Sequence, residues 1–122
     1  MHRIGGTCLL IQPTTSIPEI VSHVEKADCT AFFVSEDSVQ ICKAVFDRLA
    51  SLPKAVYALT GESNPLRETL GVEVTSLAQL LTKGQALPRL ESRWMYQGES
   101  HDEIAFLLAT SGTSGKQVGL TC

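Results

Sequence analysis

The sequence predicts an α/β fold, a mostly parallel sheet with flanking helices, and three observations carry that prediction. Short apolar runs rich in β-branched and aromatic residues recur along the chain. Between them lie stretches whose apolar residues are spaced three and four apart, the pattern of a helix with one buried face. Strand-like and helix-like segments alternate, which is the pattern of βαβ units with right-handed crossovers. At 122 residues, with 43% hydrophobic and 19% charged, the chain fits a single domain, residues 1–122, and is too apolar for disorder.

Residues 7–12 (TCLLIQ), bounded by Gly5-Gly6 and Pro13, suit a first strand buried on both faces. Ser16 and Glu19 stand at capping-box spacing around Pro18, so a helix starts there and runs over 16–27. Its apolar face is Ile17, Ile20, Val21, Val24 and Ala27. Residues 30–35 (TAFFVS) form a second strand, expected in one sheet with the first. Val39, Cys42, Val45, Phe46 and Leu49 then mark a helix over 37–50, ended before Pro53. Residues 55–59 (AVYAL) read as a third strand, 60–65 (TGESNP) as a turn and 72–74 as a brief fourth strand. Thr75 or Ser76 caps a short helix bearing Leu77, Leu80 and Leu81, with Gly84 as its C-cap. Residues 85–102 read as a linker-like loop, and 104–109 (IAFLLA) as the most apolar strand.

Ten basic residues against thirteen acidic ones give a net charge of −3, which leaves no electrostatic footprint for nucleic acid or anionic lipid. No run is long enough for a signal peptide or a membrane span, so the expected location is cytoplasmic. Cys8, Cys29, Cys42 and Cys122 show no C-x-x-C pair or zinc spacing and read as buried or free thiols in a reducing compartment. No metal ligand is assigned. His23 reads as an exposed or core-edge histidine and His101, beside Asp102 and Glu103, as part of a solvated turn before a strand, while Trp94 and Tyr96 read as partly buried.

One segment demands a chemical explanation. Thr110, Ser111, Gly112, Thr113, Ser114, Gly115 and Lys116 follow directly on the last strand. Two glycines let backbone approach a ligand closely, the hydroxyls donate hydrogen bonds and Lys116 adds positive charge, which together describe a polyphosphate cradle. A Walker A loop fails, because Thr110 stands where its first glycine belongs and Gln117 follows the lysine. The dinucleotide pattern G-x-G-x-x-G is absent. On composition alone, a frayed terminal stretch explains the same residues.

Residues 106–116 (FLLATSGTSGK) resemble the phosphate-binding signature of the AMP-forming adenylating enzymes: acyl-CoA synthetases, aryl-acid ligases, luciferases and peptide synthetase adenylation domains. The resemblance runs in order along nearly the whole chain, through 5–13 (GGTCLLIQP), 19–27, 31–34, 75–81 and 100–104 (SHDEI). It departs after Gly115, where Gln117 and Val118 replace the family's Pro and Lys, while Gly119 matches. The resemblance implies a partial slice of a large N-terminal domain, from an enzyme that activates a carboxylic acid with ATP and Mg2+ to an acyl-adenylate. Transfer to CoA or a carrier-protein thiol would follow. The hydroxyls of Thr110, Ser111, Thr113 and Ser114, with amides near Gly112 and Gly115, would hold the β- and γ-phosphates; Lys116 would assist. No catalytic residue falls within the chain on this reading, and the fragment alone is expected to be inactive, with exposed apolar surface prone to self-association. The segment 110–116 is expected to be exposed and weakly restrained without nucleotide. A free-standing nucleotide- or phosphate-binding module without catalysis, or a non-functional remnant, are the rival readings.

Overall fold

A computed structural model describes residues 6–12, 14–60, 62–88, 104, 106–109 and 119–121. The elements in chain order are β1 (Cys8–Leu10), α1 (Ile17–Lys26), β2 (Ala31–Val34), a 3-10 turn (Glu36–Ser38), α2 (Val39–Phe46), β3 (Ala55–Ala58), α3 (Ser63–Leu70), β4 (Val74–Ser76), α4 (Leu77–Gln85), β5 (Phe106–Ala109) and β6 (Gly119–Thr121). They fall in two compact units: Ser16–Pro88, and Met1–Thr15 together with Arg89–Cys122.

The unit Ser16–Pro88 is a parallel sheet in the order β2-β3-β4. The register aligns Phe32 with Val56 and Val56 with Val74, while Val34 faces Ala58. Side chains alternate along a strand, so these residues share one face. That face is the core: Val34, Val56, Ala58 and Val74 are buried, with Val45 and Phe46 from α2, Leu66 and Leu70 from α3, and Ile20 and Val24 from α1. Phe32 meets Phe46 edge to face, with ring centroids 5.1 Å apart, a geometry that brings a positive ring edge onto a negative face. The opposite face holds Phe33 and Tyr57, also in register, with centroids 5.2 Å apart; Phe33 remains 44% exposed.

The helix starts follow local chemistry. At α1 the Ser16 amide donates to Glu19 Oε2 at 3.1 Å and the Ser16 hydroxyl donates to the same oxygen at 2.6 Å. At α4 Ser76 Oγ accepts from the Gln79 amide at 3.2 Å, and the Ser76 amide donates to Gln79 Oε1 at 2.9 Å, a reciprocal capping box. α3 ends on Gly71, whose φ of +70° is the left-handed cap that glycine adopts without a Cβ penalty. Asp28, just beyond α1, takes a φ of +48°, a region asparagine and aspartate enter more readily than other side chains.

The α/β class and the parallel pairing agree with the sequence reading, but several particulars need correction. The first two strands do not share a sheet: β1 pairs with β5 and β2 with β3. Periodicity identifies strands without naming their partners, and here the first strand pairs far along the chain. Helix α2 stops at Phe46, not near residue 50, because Arg48 and Leu49 both donate backbone bonds to the Val45 carbonyl and the chain turns. The residues read as a turn before Pro65 enter α3, where Pro65 sits in the first turn and costs no helical hydrogen bond. The fourth strand is Val74–Ser76, two residues later than expected, and Gly84 lies inside α4, whose cap is Ala86. Residues 119–121 form a strand not foreseen. The linker-like reading of 85–102 falls mostly outside the described residues, and 85 is helical.

Three outcomes follow for stability. Phe46→Ala, which empties a site only 4% exposed, should lower the unfolding free energy by about 3–5 kcal/mol in a denaturant titration. A Cβ on Gly71 would meet nothing within 4 Å, so Gly71→Ala isolates the backbone cost of a positive φ and should lose about 1 kcal/mol. The Glu19 carboxyl is held below its usual value of 4.5 by its hydrogen bonds from Ser16. A depressed folded value favours the charged form, so its contribution is present above the unfolded value and fades as pH falls through the lowered one. Glu19→Gln should therefore flatten the acid limb of a melting-temperature profile below pH 4.5.

Candidate functional site

The chemically loaded segment begins where β5 ends. β5 is the middle strand of a sheet ordered β1-β5-β6. On one side it runs parallel to β1, with Cys8 opposite Phe106, Leu9 opposite Leu107 and Leu10 opposite Leu108. On the other it runs antiparallel to β6, with Leu107 opposite Thr121, Leu108 opposite Leu120 and Ala109 opposite Gly119. Directly opposed residues in an antiparallel pair have Cα atoms about 4.5–5.5 Å apart. Ala109 and Gly119, the described residues that flank 110–118 in sequence, are thus directly opposed in one ladder. At the far end of the strand, the Thr7 hydroxyl donates to the Ile104 carbonyl at 2.6 Å.

Thr110, Ser111, Gly112, Thr113, Ser114, Gly115 and Lys116 themselves lie outside the described residues, as do His101, Trp94, Tyr96 and Cys122. The structure brings together the two ends of their segment. Sequence reasoning missed two parts of this frame: the returning strand β6 and the hydroxyl of Thr7. The first had a signal, in the short run Val118, Gly119 and Leu120 after a glycine-rich stretch; the second had none, since a single exposed threonine carries no pattern.

Other reactive groups have structural explanations. Cys8, Cys29 and Cys42 are free thiols. Burial pushes the Cys29 thiol up, and the Asp28 charge adds to this; burial also raises Cys42, against a hydrogen bond with Ser38. Both are poorer thiolates than an exposed cysteine. At the C-terminal ends of β2 and β3, Ser35, Ser38 and Thr60 hold the chain's own turns. The Glu36 amide donates to Thr60 Oγ1 at 3.2 Å and the Ser35 amide to Ser38 Oγ at 3.2 Å. Lys43 pairs with Asp47, and Arg67 with Glu73 at 3.4 Å, both on the surface. Among the described residues no three His, Cys, Asp or Glu side chains cluster as a metal site, and no helix is long and apolar enough to cross a membrane.

No protein-family model matches the chain. Individual proteins do. It is 33% identical over 117 residues to acyl-CoA ligase gloD of Glarea lozoyensis, covering 94% of this chain and 20% of that protein. It is 33% identical over 118 residues to acyl-CoA ligase frbB of Dothideomycetidae sp., covering 96% and 21%. It is 32% identical over 124 residues to AMP-dependent ligase vlmC of Lecanicillium sp., again covering 96% and 21%. The chain spans about a fifth of the length of these curated relatives. The likeness extends over nearly every residue: the chain is similar to about a fifth of the length of proteins named acyl-CoA ligase or AMP-dependent ligase, in keeping with the adenylating-enzyme resemblance of its sequence.

Proposed function

We propose that residues 1–122 are a partial α/β domain of an AMP-forming acid ligase and that Thr110, Ser111, Gly112, Thr113, Ser114, Gly115 and Lys116 hold the β- and γ-phosphates of ATP. The observation that carries this reading is likeness over 94–96% of the chain to proteins named acyl-CoA ligase or AMP-dependent ligase. The hairpin frame supports it: a segment rich in hydroxyls and glycine, closed at Ala109 and Gly119, offers many donors from one short stretch.

In the complete enzyme a carboxylate oxygen attacks the α-phosphorus of ATP. The bond to the bridging oxygen of the β-phosphate breaks, and pyrophosphate leaves with its electron pair. A thiol of CoA or of a carrier protein then attacks the acyl carbon and AMP departs. The chain's part is electrostatic and positional: hydroxyls and amides aimed at the phosphates stabilise the charge that develops on pyrophosphate. The described residues supply no cluster for Mg2+, so no step is assigned through it. The free thiols Cys8, Cys29 and Cys42 suit a reducing, cytoplasmic setting. The exposed Phe33, Leu52, Leu81 and Leu87 support self-association of the isolated chain.

Alone, the chain should bind ATP in the millimolar range or weaker. Hydrogen bonds worth about 0.5–1.5 kcal/mol each, or roughly twice that with charge assistance, must offset about 4–15 kcal/mol of lost association freedom. The 122-residue chain should show no carboxylate-dependent ATP–pyrophosphate exchange across a panel of acids. Exchange that disappears in Ser111→Ala or Gly112→Val would instead establish a self-sufficient enzyme.

A further inference from the structure

We draw no further inference here: the strongest candidate, the outer face of the β2-β3-β4 sheet where Phe33 stays 44% exposed beside Tyr57, carries none because nothing in the structure shows what covers it.

Discussion

A parallel strand pair cannot be closed by a tight turn, because the chain must travel back before it can run alongside itself again. That constraint governs every parallel pair in the structure. Between β2 and β3 the return is made by α2, and between β3 and β4 by α3, so the sheet of the unit Ser16–Pro88 grows one strand at a time with a helix laid on one face. Between β1 and β5 the return consists of that entire unit. Among the described residues only the last pairing, β5 with β6, is antiparallel, and between these strands in sequence stands the glycine- and hydroxyl-rich segment 110–118.

The same constraint sets where apolar residues are needed. Helices returning over one face of β2-β3-β4 bury Val34, Val56, Ala58 and Val74 against Phe46, Val45, Leu66 and Leu70, all small or branched except the one ring. Phe32 completes this layer through its edge contact with Phe46. The other face carries different chemistry: alanines at 31 and 55, a threonine at 75, and Phe33 and Tyr57, whose rings lie tilted against each other. A sheet that is apolar on both faces is the usual composition of a strand meant for burial on both sides.

The elements most legible in the sequence were those whose signal is local. Capping at Ser16 and Ser76 and the periodicity of Ile20 and Val24 all describe neighbours within a turn or two, and each matches the structure. α3 had such a signal too, in Leu66 and Leu70 four apart with Gly71 behind them, but the turn-forming residues ahead of Pro65 masked it. What the sequence did not yield was partnership. Whether residues 7–12 lie beside 30–35 or beside 104–109 depends on which pair forms the better ladder, and all three are short apolar runs. At the candidate site, the motif was legible as chemistry from Thr110 to Lys116, whereas its frame depends on a cross-strand register between Ala109 and Gly119 that no single stretch encodes.

The pairing of β1 with β5 also has a consequence for the order of events during synthesis. Local pairings form early because little chain must be ordered to make them, and distant ones wait. The unit Ser16–Pro88 has all its described strands once Pro88 has been made, while Cys8–Leu10 meets its described partner only after Phe106–Leu108 emerges. At about 5–20 residues per second, that interval is on the order of 5–20 s. Throughout it Cys8–Leu10 lacks the strand it lies beside in the finished fold, so an apolar strand edge waits on the ribosome for its partner.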